Sequence, residues 1–581
     1  MNKSSLKQRL AILIKPHIKT IIIVTILSII INIGEITRPY LIKVVIDDYL
    51  SKGIYQKGAI TIGMIGAIYI GIVILGNILD FIASSTTNMM GEDALYYLRN
   101  RLYKFTQYVN IPFHDRTSAG KLYVRITNDV EDISTFFKDV ITTILKDIVL
   151  IVVIIGIMIT FSKQLSAMAF IVIPFVILVS FVITGIINKI CDKAKNIRTQ
   201  INSFFAESIY GIKLIKIFNR QREKQKECEE YTTAFRNQRA KAGVFYGLLP
   251  ALIDILEYLS ISIIIWTCVN HWFGINMDVG LIYVFITYIK QLFEPVTRII
   301  DNVEVVQEAI VSINKIFDIL DQKEYLEDFE SGKVIDKING KIEFRNVWFA
   351  YEGENWILKN VSFIVNPGES IALVGKTGSG KTTITNLLNR FYEIQKGDIF
   401  IDDINIKDIN IRSLREKIGI VLQEPFIFAK SIKDNIRLND NIDDETVNQA
   451  VHLACADEFV NSFPDGIEHV SREKGNSYSA GQKQLLAFAR IFAHNPSIFV
   501  LDEATANIDT QTEKSIQKAI DRISKNKTSI FIAHRLSTIV NVDKIIVLNH
   551  GEIIEQGNHS QLVNKGGYYS KLYNSYYESL G

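Results

Sequence analysis

The sequence predicts two folds in one chain: an all-α membrane domain of six helices with long cytoplasmic helical extensions, followed by a soluble α/β domain built round a P-loop. Three observations predict it. Long apolar runs fill the chain up to about residue 320. From about Lys341 the pattern changes to short β-rich runs alternating with helical stretches. A GxxxxGK[ST] pattern then lies between a strand-like run and a helix-like run at residues 375–382.

The bulk numbers agree with a chain of two solvents. A length of 581 residues exceeds what one core supports. Hydrophobic residues make up 48% beside 22% charged ones, as expected when one part sits in lipid and another in water. The formal net charge of +2 gives no bulk field for nucleic acid, so no nucleic-acid partner is expected. Cys191, Cys228, Cys268 and Cys455 form no CxxC pair. Their scatter argues against a disulfide framework or a zinc site and for reduced, buried thiols.

The apolar runs at 18–46, 59–84, 140–161, 165–187, 244–269 and 279–300 each reach the length of about 20 residues that crosses hydrocarbon. The first follows a basic start (Lys3, Lys7, Arg9) and runs into Glu35, Arg38 and Pro39 without a small-residue cleavage site, so it reads as a retained span. An even number of spans keeps both ends on one side. Arg99, Arg101, Lys104, Arg116, Lys121 and Arg125 lie between spans two and three, and the stretch 189–226 between spans four and five is rich in Lys and Arg. The other loops carry Lys52, Lys57 and Lys163. The positive-inside rule therefore puts both termini and the α/β domain in the cytoplasm, with the spans in the cytoplasmic (inner) membrane.

Residues 59–109 contain no proline and keep a helical pattern. Such a helix is about 75 Å long at 1.5 Å per residue, whereas the hydrocarbon takes only about 30 Å. The remainder projects into the cytosol as a stalk, and span four continues similarly towards Thr199. The stalk tips, near 113–120 and 207–216, are expected to be coupling elements lying on a soluble domain rather than plain solvated loops. A charged linker at 321–340, with Glu324, Glu327, Asp328, Glu330 and Lys333, separates the membrane domain (1–320) from the α/β domain (341–581).

In that second domain, Ser370–Val374 reads as a buried strand, followed by Gly375, Lys376, Thr377, Gly378, Ser379, Gly380, Lys381, Thr382 and Thr383 and then a helix. This is the strand–loop–helix context of a P-loop. Glycines let backbone N–H groups converge on phosphates at the positive end of a helix. Lys381 is expected on the β- and γ-phosphates of ATP, and the Thr382 hydroxyl on Mg²⁺. The run at 497–501 ends in Asp502 and Glu503. Asp502 suits a Mg²⁺ partner at a strand end, and Glu503 a carboxylate that polarises the attacking water.

Between these motifs stands Tyr478-Ser479-Ala480-Gly481-Gln482. It resembles the LSGGQ signature of ABC transporter ATPases, keeping Ser479, Gly481 and Gln482 and departing at Tyr478 and Ala480. The resemblance covers almost the whole chain. It implies that the signature completes the ATP site of the opposite subunit, that Tyr351 stacks on adenine, and that Gln423 sits at Mg²⁺ and water. It also implies that Glu473 and Gly475 contact intracellular loops, that 506–509 (ANID) lies at the dimer seam, and that His534 touches the γ-phosphate.

Six spans, stalks and membrane-first order are similar to a type IV half exporter. The wording SAGQKQLLAFAR and DEATANIDTQTE resembles one subunit of heterodimeric multidrug exporters. A second half transporter is thus the expected partner, a heterodimer being favoured over a homodimer, with any degenerate site on the partner. The function implied is ATP-driven export of hydrophobic or amphipathic compounds by alternating access. A lipid flippase, a peptide exporter and a ligand-sensing membrane ATPase are the alternatives.

Ionisable residues on or near the spans bear on the substrate: Glu35, Arg38, Asp80, Asp254, Glu257, Glu294 and Arg298. Each costs about 3 kcal/mol at mid-membrane. They suit either an acidic cavity for lipophilic cations or internal pairing, such as Glu294 with Arg298. Phe81, Tyr258, Trp266 and Phe285 are expected to line a cavity or to face lipid.

Overall fold

The computed structural model describes residues 5–51, 56–57, 60–270, 278–322, 327–438, 440–471, 478–502, 509–525, 527–532 and 539–578. The chain forms two compact units, one of Met1–Gln107 with Thr117–Glu324 and the other of Tyr108–Arg116 with Tyr325–Gly581.

The first unit is helical. Its described residues hold 6 stretches long and apolar enough to cross a membrane, each of 42 to 49 residues. At 1.5 Å per residue they are about 63–74 Å long, twice the hydrocarbon thickness, so every span carries an extension beyond the hydrocarbon. The helices used below are α1 (Leu6–Ile14), α2 (Ile18–Val44), α3 (Ile62–Tyr108), α4 (Ile111–Arg116), α5 (Thr142–Phe161), α6 (Ile173–Tyr210), α7 (Ile212–Ile217), α8 (Gln221–Val269), α9 (Val279–Asp301) and α10 (Val303–Leu320).

A capping box of Ser5 and Gln8 starts α1. Its Arg9, 3% exposed, is held by Asp318 and Asp321 at 3.0 Å each, which ties the entry helix to the end of α10. Helix α2 buries Val24, Ser28, Ile31, Asn32, Ile36 and Pro39, a spacing of three and four that keeps one face inward. Pro39 has no N–H, so the carbonyl of Glu35 loses its helical partner. Gln291 Nε2 of α9 donates to that carbonyl at 3.4 Å, and the Tyr288 hydroxyl donates to the next one, Ile36, at 2.9 Å. The proline that weakens α2 thereby creates the seat for α9. Buried residues of α2, α5, α6, α8 and α9 share one core. Phe285 lies inside it at 0% exposure, while Phe81, Trp266 and Tyr258 are 73%, 61% and 60% exposed. None of the four cysteines is in a disulfide, and each is partly exposed rather than buried.

The second unit is α/β. Its strands are β1 (Ile342–Phe349), β2 (Leu358–Val365), β3 (Ser370–Val374), β4 (Lys396–Ile401), β5 (Ile404–Asn405), β6 (Ile418–Val421), β7 (Ile498–Asp502), β8 (Thr528–Ile532), β9 (Lys544–Asn549) and β10 (Glu552–Gly557). A 6-stranded sheet runs β10-β9-β3-β8-β7-β6, parallel except for β10, and a 4-stranded antiparallel sheet runs β2-β1-β4-β5. Alternate residues of the large sheet enter different cores. Ala372, Val374, Phe499, Leu501, Phe531, Ile545 and Val547 face one; Ile371, Leu373, Ile498, Val500, Ile530, Ile546 and Leu548 face the other, shared with the small sheet. Period-two alternation with both faces apolar is what a covered parallel sheet requires.

Tyr108–Arg116 belongs to this unit. Glu327 N–H donates to Tyr108 O at 2.9 Å, the rings of Tyr108 and Phe329 meet edge to face at 5.8 Å, and the Tyr392 hydroxyl donates to Asp115 of α4. From Glu327 onward the charged segment is bound rather than loose. Arg415 takes both Glu327 oxygens at 2.7 Å, and Asn410 Nδ2 donates to the carbonyls of Phe329 and Ser331.

Candidate nucleotide site

Parallel strands deliver their carboxyl ends to one edge of the sheet. The loop after β3, Asp502 at the end of β7 and Gln423 two residues beyond β6 therefore come to the same edge.

The loop after β3 is tight. A Cβ on Gly375 would meet Leu548 O at 2.3 Å and Ser379 Oγ at 2.6 Å. Gly380, at φ +103, caps α11 (Lys381–Leu388) with no side-chain hydrogen bond, which leaves the first-turn N–H groups for a ligand. Lys376, Thr377 and Gly378 are exposed, whereas Ser379 is 4% exposed and its hydroxyl is buried without a hydrogen-bond partner. Lys381 is 6% exposed and folds back, Nζ donating to Gly375 O at 2.7 Å and Lys376 O at 3.1 Å. Burial lowers its pKa, and the charge of Asp502 opposes that shift. An orphan hydroxyl, a turn only glycine fits, an uncapped helix start and a shielded ammonium together fit a polyphosphate. Thr382 is exposed. Its hydroxyl, the amide of Gln423 and the carboxylate of Asp502 are the hard oxygen donors that suit Mg²⁺.

Tyr351 stands 40% exposed, its ring edge-on to Phe349 and Tyr392 at 4.9 Å each. Its hydroxyl is 3.2 Å from Thr383 Oγ1, so the ring is fixed to the first turn of α11. Tyr392, which no motif flagged, thus touches Tyr351 and Asp115 together.

Ser479 caps α12 (Ala480–His494) in a box with Gln482, at 3.2 Å from the hydroxyl and 2.8 Å to the side-chain amide. Gly481 is buried. Tyr478 is 6% exposed, edge-on to Phe459 at 5.1 Å, its hydroxyl 2.8 Å from Ser471 Oγ. Its departure from the family's leucine therefore has a packing reason. Arg490 locks α12 to Asn435 through the backbone carbonyl at 2.7 Å and Oδ1 at 3.1 Å; burial pulls its pKa down to about 10. Asp509 caps α13 (Thr510–Ser524) through Thr512 N–H at 2.9 Å. The apolar side of α11 packs in one core and that of α12 in the other, so the two helices lie on opposite faces of the large sheet. Glu473, Gly475, Glu503, residues 506–508 and His534 lie outside the described residues.

Comparison with known proteins agrees with this layout. Residues 21–296 match the ABC transporter transmembrane region, and residues 358–506 match the ABC transporter family. The chain is 34% identical to the multidrug resistance-like ATP-binding protein MdlB of Buchnera aphidicola subsp. Schizaphis graminum, over 98% of this chain and 97% of that one. It is 30% identical to the ATP-dependent lipid A-core flippase of Haemophilus influenzae, over 92% and 91%. It superimposes on a bacterial Atm1-family ABC exporter with ATP bound, with a TM-score of 0.78 and 25% identity, over 97% and 98%. One transmembrane region joined to one ATP-binding domain makes this chain an ABC transporter of the exporter type, a half transporter whose ATPase is coupled to export across a membrane.

Proposed function

We propose that two such half transporters clamp two ATP molecules between their ATPase units, and that closure and hydrolysis move an amphipathic compound outward by alternating access. The observation that carries this reading is that α11 and α12 lie on opposite faces of one sheet. A signature on the far face is poorly placed for its own P-loop and is free for another chain's. Each site then takes Tyr351 against the base, the 375–383 loop on the phosphates, and Ser479 with Gly481 and Gln482 from the facing chain. Thr382, Gln423 and Asp502 would hold Mg²⁺, which neutralises phosphate charge when bound. Glu503 accepts a proton from the water that attacks the γ-phosphorus, and His534 steadies the charge that develops.

The stalk tips carry the motion. Helix α4 rides with the ATPase unit of its own chain. Around α7, Leu214, Ile217 and Phe218 are 62%, 73% and 64% exposed, which suits a seat on the facing half transporter. The ATPase unit offers one: a cleft of about 350 Å³ whose lining includes Leu422, Pro425, Phe426 and Phe428. The spans lie in the cytoplasmic membrane with both termini inside. The ANID wording favours a heterodimer in which this chain's Walker residues are competent.

ATP-dependent uptake into sealed inverted vesicles tests export. Vanadate-sensitive ATPase of the chain purified alone supports a homodimer. Silence that a neighbouring half transporter relieves supports a heterodimer. Ligand-stimulated ATPase without movement of any compound refutes export.

A further inference from the structure

A cavity of about 760 Å³ opens among α2, α3, α5 and α9, entirely within the membrane unit. Glu35, Asp80, Asp139, Asp147 and Glu294 bring carboxylates to it, and Arg38, Lys138, Lys146 and Arg298 bring cations. At roughly 3 kcal/mol for each charge in a membrane, such a lining needs a use.

The pairing inside the cavity narrows what it can accept. Lys146 is shared by Asp80 at 3.1 Å and Glu35 at 4.0 Å. Arg298 is shared by Asp147 at 2.6 Å and Glu294 at 2.8 Å. Each cation serves two carboxylates, so each cluster keeps one surplus negative charge. Lys138 is held outside this exchange by Glu92 at 2.6 Å. It sits on a widened turn, Phe136–Ile141, that also presents Asp139. Arg38 is different. Among the described residues its Nε is buried without a hydrogen-bond partner. Gly76 of α3 makes room for its guanidinium, since a Cβ there would stand 3.0 Å from Nη2.

A guanidinium on a membrane span, its Nε buried and no anion paired with it among the described residues, asks for one. The surplus carboxylates ask for a cation. Glu35 and Arg38 are three residues apart on one helix, so both needs lie within about 5–6 Å at the backbone. A lipophilic cation alone would leave Arg38 unanswered, and an anion alone would face the surplus carboxylates.

We propose that this cavity recognises the zwitterionic head of an amphiphile, with Arg38 taking a phosphate or carboxylate and Glu35 and Asp80 taking an ammonium. The proposal rests on the export reading above and names its substrate class. Four probes carrying the same fluorescent acyl chain test it on the full-length transporter in sealed vesicles with MgATP. They are a phosphatidylethanolamine, an Nα-acyl-lysine, a phosphatidylglycerol and an alkylammonium. One or both zwitterions move faster than the two singly charged probes, and which of them moves tells phosphate from carboxylate. Arg38→Ala raises the half-saturating concentration of the moving zwitterion about tenfold, and Arg38→Lys restores most of that loss, which a folding defect would not allow. Preferential movement of the alkylammonium or the phosphatidylglycerol, or unchanged zwitterion transport in Arg38→Ala, overturns the head-group assignment and leaves export standing. ATP hydrolysis with movement of no probe in any assembly overturns export and the assignment together.

Discussion

The polar groups of the two units are committed differently. In the ATPase unit they are held ready: the Ser379 hydroxyl is buried without a partner, Lys381 rests on two loop carbonyls, and Tyr351 stands open. In the membrane unit most are spent on one another, as in the cluster of Arg298, Asp147 and Glu294, where Asp147 is 1% exposed. The contrast follows from the solvent. A site outside the membrane can keep a polar group waiting because water reaches its mouth. A membrane span cannot, so an uncommitted charge such as Arg38 is an exception that carries information. It also follows that substitutions in the first set should cost function and leave the fold, whereas those in the second should cost the fold.

The largest expected effect breaks the comparison directly. Arg298→Ala strands Asp147, whose side chain is 1% exposed, and leaving a buried charge unpaired costs about 3 kcal/mol. Thermal unfolding of the detergent-purified protein should show a clear drop in Tm, and the double variant Arg298→Ala/Asp147→Asn should regain most of it. A single variant as stable as the parent would mean that the membrane unit holds its charges no more tightly than the ATPase unit does.

Next comes Glu503→Gln. If Glu503 is the base proposed for it, turnover falls about 100-fold or more, while labelled MgATP still binds and the Tm of the nucleotide-free protein is unchanged. Parental ATPase activity would remove Glu503 from that role. Lys381→Ala is smaller. Losing a charge-assisted contact worth about 1.5–3 kcal/mol weakens ATP binding roughly 10- to 100-fold. Burial already lowers the Lys381 pKa, so the nucleotide-free protein should be no less stable without the ammonium. A loss of Tm in Lys381→Ala as large as in Arg298→Ala would erase the distinction between the two units.

The same contrast explains what the sequence disclosed. The P-loop is legible because strand, turn and helix are contiguous, and its glycines answer local demands such as the 2.6 Å approach of Ser379 Oγ at Gly375 and the φ of +103 at Gly380. The six spans are legible because hydrocarbon sets a length. The one-turn pair Glu294–Arg298 is local too, and the structure shows it at 2.8 Å. What stayed hidden is what joins distant positions. Arg298 meets Asp147 across 151 residues, and Gln291 answers Pro39's missing bond from 256 residues beyond Glu35. Nor does an apolar run say that Phe285 is buried and Phe81 open, because a span apolar all round has no polar face to mark its outside. Tyr478 reads as a lapse from the signature until Phe459 and Ser471 are seen around it.

The smallest expected effect lies where a readied group meets a committed one. Tyr392 touches Tyr351 with its ring and Asp115 of α4 with its hydroxyl. If base binding at Tyr351 reaches the stalk tip through this residue, Tyr392→Phe keeps the ring and loses only the hydrogen bond, a change of about 1 kcal/mol. ATP affinity should then stay within about twofold of the parent, because the ring contact with Tyr351 survives. Transported compound per ATP hydrolysed should fall roughly fivefold, since about 1 kcal/mol of coupling is gone. Tyr392→Ala, which removes both contacts, should lower affinity as well. Equal transport per ATP in the parent and in Tyr392→Phe would leave this tyrosine a packing residue, with the motion of α4 carried instead by contacts such as Glu327 N–H on Tyr108 O.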